Sequence, residues 1–333
     1  MCNQHNPILL KAMSTESTNY VGRFAPSPTG PLHFGSLVAA VASYCDAKAN
    51  GGKWLLRMED VDKPREMTGA ADDILRTLEA FGFAWEGEVV YQSQRVAFYE
   101  NAFSHLLSSD LIYACTCSRK EIADSAANSG IDGAVYPKTC YVKTLATNTS
   151  NFNAATSLTN TASWRVNVDN ADLITLDDEI QGHVSQQLSE DVGDFILKRK
   201  DGFFAYQLAV VVDDALQNIT HVVRGADLLD STPRQIYLQQ LLDFTTPHYA
   251  HVPVVVTSQG EKLSKQTLAT AITPQAAPIL VFQALQFLGQ NPPTALKNVS
   301  LSEIWAWAIA NWHLESIYKQ KTMQVHHGFN VLI

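Results

Sequence analysis

The chain has 333 residues, 46% of them apolar and 17% charged, which suits about two packed domains and excludes wholesale disorder. Its formal charge of −9 argues against a surface coated in basic groups for indiscriminate nucleic-acid binding, although it leaves room for a local basic groove. No apolar run approaches the ~20 residues of a membrane helix, and residues 1–20 carry one Lys, no Arg and only the short run Ile8-Leu9-Leu10, too polar for a secretion signal; a cytoplasmic protein with no membrane partner is expected.

In chain order, residues 1–19 lack periodicity and read as a flexible N-terminal extension. Tyr20–Phe24 is a short predicted strand, followed by the Pro/Gly loop Ala25–Pro31. A helix is predicted from Phe34 to Asn50, stopped by Gly51-Gly52. Lys53–Met58 reads as a buried strand, Ala70–Phe81 as an amphipathic helix with Ile74, Leu75, Leu78 and Phe81 on one face, and Arg95–Leu107 as another helix. Strands and helices alternating at this spacing signal a parallel α/β sheet. The rhythm breaks over 113–185, which holds three of the five cysteines and a Thr/Asn/Ser/Ala-rich stretch over 144–163, expected to be a flexible loop. It is expected to return with a strand at Asp194–Lys198, a turn at Lys200-Asp201-Gly202, a helix from Phe204 through Val212, a strand at His221–Arg224 and a helix from Thr232 to Phe244 opened by Pro233. A strand at Val252–Thr257, a Lys-bearing loop and mainly helices follow.

Two distant segments carry the chemistry. In Arg23-Phe24-Ala25-Pro26-Ser27-Pro28-Thr29-Gly30-Pro31-Leu32-His33-Phe34-Gly35-Ser36 a strand feeds a loop, and His33 and Gly35 open a helix. A helix N-terminus offers unpaired N–H groups and a positive dipole end to phosphate. In Glu261-Lys262-Leu263-Ser264-Lys265-Gln266, two lysines three apart can close on a triphosphate. Neither a Walker-type phosphate loop nor a Gly-x-Gly-x-x-Gly fingerprint is present, so those nucleotide-binding classes are excluded. The five cysteines (Cys2, Cys45, Cys115, Cys117 and Cys140) are odd in number in a long chain, which disfavours a disulfide framework; Cys115, Cys117 and Cys140 read better as a metal cluster.

The first segment resembles the HIGH region of class I glutamyl-tRNA synthetases, and Lys262–Gln266 resembles their KMSKS loop, with Leu263 at the Met position and Ser36 at the second His position. Arg57-Met58-Glu59-Asp60-Val61-Asp62 and Val223-Arg224-Gly225-Ala226-Asp227-Leu228 resemble two further words of that family, and the match spans about 20–290. Within the family the chain is similar to a shortened branch that joins glutamate to queuosine in the anticodon of tRNA-Asp. Cys-x-Cys followed by Tyr-x-x-x-Cys resembles the zinc pattern of that branch. Only 67 residues follow Gln266 (333 − 266), fewer than the roughly 100–200 that an anticodon-reading part would add.

The resemblance implies a class I synthetase-type, Rossmann-like parallel α/β sheet with a zinc-containing insertion and a small C-terminal helical subdomain. Residues 20–112 and 186–246 would be the two halves of the catalytic domain, 113–185 the insertion, and 247–333 the KMSKS-like loop with the helical subdomain. Glutamate has two carboxylates and an ammonium, so its pocket needs two cations and an anion. Arg23 and Arg224 offer planar donor forks, Glu59 an anion and Tyr206 a hydroxyl; the resemblance adds Phe24, Ala25, Pro26 and Ser27. It assigns ATP to His33, Gly35, Ser36, Lys262, Ser264 and Lys265, with His33 and Lys265 catalytic and Mg²⁺ accompanying ATP. One structural zinc would be held by Cys115, Cys117 and Cys140, with Tyr136 or a water as the fourth ligand.

The implied reaction is ATP-dependent activation of glutamate to glutamyl-adenylate without tRNA, then transfer to queuosine. The partners are ATP, L-glutamate and the queuosine-bearing anticodon stem-loop of tRNA-Asp, and the protein is expected to be a monomer. The alternatives are a truncated synthetase charging a tRNA 3′ end, a non-catalytic tRNA-binding paralogue, and a small-molecule nucleotidyltransferase. The paired arginines disfavour the last, and the intact Arg23, Glu59, Arg224 and Lys265 disfavour the non-catalytic reading.

Overall fold

The computed structural model describes residues 20–131, 133–142, 162–257, 259–262 and 270–324. The predicted extension 1–19, nearly all of the 144–163 loop, and the site candidates Ser264 and Lys265 lie outside the described residues.

Strand β1 (Val21–Phe24) leads through the Pro/Gly loop into helix α1 (Phe34–Ala49), and β2 (Lys53–Met58) returns parallel to β1. The return is tight. Lys53 N–H donates to Tyr20 O at 2.8 Å, and a Cβ on Gly52 would lie 2.4 Å from that same oxygen, so only glycine fits there. Helix α2 (Ala70–Ala80) buries Ile74 and Leu78 and carries Asp72 and Asp73 in its first turn, where the helix dipole favours them. It leads to β3 (Val90–Tyr91), parallel to β2, and then to α3 (Val96–Ser108).

The alternation then breaks as expected. β4 (Ile112–Cys115), the short α4 (Arg119–Ser125) and the small hairpin β5 (Ser129–Gly130)–β6 (Gly133–Ala134) precede β7 (Ser163–Val166). A longer hairpin, β8 (Ile174–Asp178)–β9 (Gly182–Gln186), leads through the single turn α5 (Leu188–Asp191) to β10 (Ile196–Lys198). β10 pairs antiparallel with β7, and β7 with β4. The expected return to the parallel sheet at Asp194–Lys198 is therefore not met. That strand completes a second, antiparallel sheet, because the place beside β1 is taken by a later strand.

Helix α6 (Tyr206–Leu216) precedes that later strand, β11 (His221–Gly225). Thr220 fastens it to β1: its N–H donates to Val21 O, and its Oγ1 accepts from Val21 N–H, both at 2.9 Å. Helix α7 (Thr232–Leu241) leads to β12 (His248–Val252), parallel to β11. One strand was predicted over Val252–Thr257. The structure has β12 before it and β13 (Val254–Val256) within it, divided at Pro253, which has no N–H to donate to a ladder. Helices α8 (Ala277–Phe287) and α9 (Leu301–Ala310) follow, and β14 (Thr322–Gln324) pairs parallel with β13.

Helix α1 is apolar nearly all round because it is covered on both sides. Sheet residues such as Trp54 and Leu56 and helix residues such as Val281, Leu285, Ile304 and Trp305 share its core. A second core joins α3, α6 and α7 to the antiparallel sheet through Phe103, Trp164, Leu197, Leu208 and Leu238. No described helix is long and apolar enough to cross a membrane.

Candidate active site

A cavity of about 520 Å³ opens at the carboxyl ends of β1, β2, β11 and β12, where open α/β sheets place their ligands. β1 delivers Arg23 and Phe24, and the following loop delivers Ala25, Pro26 and Ser27. The loop is held against the end of β2 by Glu59 N–H donating to Pro26 O at 3.0 Å, which brings Glu59 to the cavity wall. Tyr206 comes from the first turn of α6 and Arg224 from β11. His33, Gly35, Ser36 and Lys262 complete the set. Of the residues proposed from the sequence for glutamate and ATP, all that lie within the described residues line this one cavity.

The two arginines are not presented as whole forks. Arg23 reaches Asp214 with Nε and Nη2, at 3.3 and 3.5 Å, and both side chains are buried. Arg224 donates from Nε to His251 Nε2 at 3.0 Å and from Nη2 to Thr232 Oγ1 at 2.9 Å; its Nη1 lies 3.5 Å from the Tyr206 hydroxyl. Each guanidinium therefore lends part of its donor set to the protein, which fixes the plane in which the remainder faces the cavity.

Beneath them lies a charge cluster. Arg57, with no exposed surface, pairs with Asp214 at 2.7 Å and Glu59 at 3.6 Å, and donates from Nη1 to Gln217 Oε1 at 2.7 Å. Burial would raise the Asp214 carboxyl, but Arg23 and Arg57 outweigh it and hold the group below its usual range. Glu59 goes the other way. Burial outweighs the pull of Arg57 and Arg23, and with Asp214 and Asp213 nearby its pKa is pushed up to about 7. Burial, with Glu59 adjacent, also raises the Tyr206 phenol, which stays a hydroxyl donor.

His33 is the N-cap of α1, its backbone extended at φ −122°, and its Nδ1 accepts from Ser36 N–H at 3.3 Å. In the neutral ring the proton then sits on Nε2, 3.1 Å from Ser36 Oγ, so Ser36 meets both ring nitrogens and fixes the imidazole at the helix N-terminus on the cavity wall. Both flanks of 263–269 are anchored at this cavity. Lys262 bridges to Val256 and its Nζ lies 2.6 Å from Asp227 Oδ2; Ala271 bridges to His33, and Ile272 N–H donates to Leu32 O at 3.0 Å.

Some distance along the chain, β4 and the segment before Cys140 assemble the cysteines. Tyr136 Oη lies 3.3 Å from Cys115 Sγ and 3.6 Å from Cys117 Sγ, and Cys117 Sγ lies 3.5 Å from Cys140 Sγ. Zinc–sulfur and zinc–oxygen bonds of about 2.3 and 2.0 Å put tetrahedral ligand pairs roughly 3.5–3.8 Å apart, so this donor set fits such an ion. The Arg165 guanidinium stacks over the Tyr136 ring at 4.2 Å, and Lys138 ties the segment to Asn167 at 3.0 Å and to Asp194 at 3.1 Å.

Sequence reasoning missed Arg57, Asp214, His251, Asp178 and Thr232. Asp213-Asp214 directly after Val210-Val211-Val212 was a usable signal, since two acids in a strongly apolar helix need buried partners. His251, in a strand buried from Tyr249 to Val252 and foreseen only at Val252, gave none.

The catalytic-domain model of the class I tRNA synthetases for Glu and Gln matches residues 20–305. The chain is 54% identical over 302 residues to a protein of Dechloromonas aromatica named glutamyl-Q tRNA(Asp) synthetase, covering 90% of this chain and 96% of that one. A protein of the same name from Chromobacterium violaceum is 53% identical over 90% of this chain and 95% of its own length. Among solved structures, the glutamate–tRNA synthetase of Elizabethkingia anophelis superposes with a TM-score of 0.71, covering 92% of this chain and 68% of that one; at 24% identity the likeness is one of fold.

Proposed function

The chain belongs to the class I tRNA synthetases for Glu and Gln, within their glutamyl-Q tRNA(Asp) synthetases, and we propose that the cavity at the sheet's carboxyl edge activates L-glutamate with ATP and passes it to queuosine in the anticodon of tRNA-Asp. The observation that carries this reading is convergence. Arg23, Glu59, Tyr206 and Arg224 come from four separate segments and meet in one cavity with His33 and Lys262. Two cations, an anion and a hydroxyl match the two carboxylates and the ammonium of glutamate.

In this reading Glu59 holds the ammonium, while Arg23 and Arg224 hold the carboxylates in reach of the α-phosphorus. A glutamate carboxylate attacks in line, and pyrophosphate leaves. His33 and Gly35, with Ser36, line the nucleotide end, and Lys262, Ser264 and Lys265 come from the KMSKS-like loop; His33 and Lys265 stabilise charge that develops on the α-phosphate. Mg²⁺ arrives with ATP and offsets phosphate charge. A queuosine hydroxyl then attacks the glutamyl carbonyl, giving an ester and AMP. Cys115, Cys117, Cys140 and Tyr136 would hold one structural zinc, pinning the insertion, with α8 and α9 forming a small helical subdomain. The protein would act as a monomer in the cytoplasm.

Labelled glutamate tests the reading. ATP–pyrophosphate exchange should proceed with glutamate and no tRNA. An anticodon stem-loop of tRNA-Asp bearing queuosine should then accept an alkali-labile glutamyl group, and its guanosine form or periodate-treated form should not. Glutamate found only on a terminal adenosine would establish a truncated synthetase instead.

A further inference from the structure

We propose that His251 is a positioning residue for glutamate recognition: clamped by Asp178, it turns Arg224 so that Nη1, beside the Tyr206 hydroxyl, is the part of the guanidinium that meets a substrate carboxylate. The inference rests on the glutamate reading of the cavity and assigns a role to two residues that do not line it.

The geometry runs inward from the insertion. Asp178 ends β8, and its side chain, like that of His251, has no exposed surface. Its Oδ1 accepts from Ile180 N–H (3.1 Å), Gln181 N–H (2.8 Å) and His251 N–H (3.1 Å), so the carboxylate is fixed by the β8–β9 turn and by β12 at once. Its Oδ2 lies 2.6 Å from His251 Nδ1. On the far side of the ring, Nε2 lies 3.0 Å from Arg224 Nε. Arginine is a donor only and stays charged, so Nε2 must accept. The imidazole is therefore neutral with its proton on Nδ1, and that proton is donated to Asp178. Burial and the adjacent Arg224 keep the ring neutral, with a pKa down to about 4 although Asp178 pulls upward, while the Asp178 carboxyl stays below its usual range.

The consequence falls on Arg224. Its Nε is taken by His251 and its Nη2 by Thr232, so the edge usually offered to a carboxylate as a parallel pair is turned into the protein. That leaves Nη1, 3.5 Å from the hydroxyl of Tyr206, which like Arg224 lines the cavity, as the nitrogen for a ligand. A carboxylate bridged by one guanidinium nitrogen and one phenol is held at a set angle. Loss of the acceptor at 251 would leave a buried Nε–H without a partner, and the guanidinium would rotate to find one.

Pyrophosphate exchange with wild type, His251→Leu and His251→Gln tests this, because glutamine can accept from Arg224 through Oε1 and donate to Asp178 through its amide. The leucine variant should raise the glutamate KM by about 10–100-fold, with kcat and the ATP KM changed less than about threefold; the glutamine variant should recover most of the loss. An unchanged glutamate KM in the leucine variant, or an equal rise in the ATP KM, would overturn the assignment. Nitrogen NMR of wild-type protein carrying ¹⁵N-histidine adds an arm that needs no variant to fold. It should show His251 neutral with its proton on Nδ1 from pH 6 to 8, and a proton on Nε2 would overturn the proposal. Failure of wild-type exchange with glutamate would instead sink the glutamate reading, leaving the NMR arm to decide the hydrogen bonds.

Discussion

Glu59 is the residue whose chemistry depends most on its surroundings. Its side chain is 9% exposed, and burial lifts its pKa from 4.5 to about 7 against the pull of Arg57 and Arg23. An ammonium is bound by the carboxylate and not by the acid. The glutamate KM should therefore be flat above pH 7 and rise, approaching tenfold per unit, below it. Glu59→Gln should raise the KM at pH 8 and abolish the pH dependence; exchange kinetics between pH 5.5 and 8.5 measure both. In folding the sign is set by the same shift. Between about pH 4.5 and 7 the folded chain keeps a proton that the unfolded chain has lost, so this group weakens the empty protein as pH rises through that window. Lys265→Ala should cut exchange by about 10²–10³-fold with little change in glutamate affinity, as for loss of one preorganised charge donor. Arg23, Glu59, Tyr206 and Arg224 were nameable from the sequence because each sits in a word the resemblance supplies or in a pattern that glutamate's charges demand. Asp214 and His251 were not. Asp214 lies 191 positions from Arg23, and His251 lies 73 from Asp178, and nothing in a linear string separates a buried acid from a surface one.

Among the elements, those whose signal is local were legible. The predicted bounds of β2 match the structure, and α1 differs only at Asn50, which caps it. Alternation cannot name a strand's partner, which is why β10, expected to resume the α/β rhythm, lies instead in the antiparallel sheet; β12, buried from Tyr249 to Val252 and so without alternation, was foreseen only at Val252. Helix α9 tests how far the C-terminal helices share the main core. Its Trp305 is 6% exposed, packs against Tyr44 and Phe83 with centroids 5.0 and 4.9 Å away, and donates from Nε1 to Phe81 O at 2.9 Å. Trp305→Ala should cost about 3–5 kcal/mol in urea unfolding, the range for emptying a large aromatic site. A cost below about 1 kcal/mol would mean that α9 docks only weakly on α1.

At the scale of the whole molecule, the cysteine cluster is a small core of its own, with Tyr113 and Tyr136 buried beside Cys115 and Cys140. Elemental analysis should find about one zinc per chain, lost in Cys115→Ser or Cys140→Ser. Chelation should raise amide exchange around β4, α4 and the Tyr136–Cys140 segment while leaving α1 and β2 protected; protection lost equally in α1 would show that the ion supports the entire fold. The tryptophans are unevenly shared between the two large cores. Trp54, Trp305 and Trp312 are buried in the core around α1, Trp85 and Trp307 pack against it, and Trp164 alone belongs to the core of the antiparallel sheet, edge-on to Phe103 at 5.4 Å. The intrinsic fluorescence of this protein is thus weighted, five indoles to one, toward one of its two large cores. A melting curve read at tryptophan wavelengths follows mainly the α1 core, and a variant keeping Trp164 as its only indole would let the other core be watched by itself.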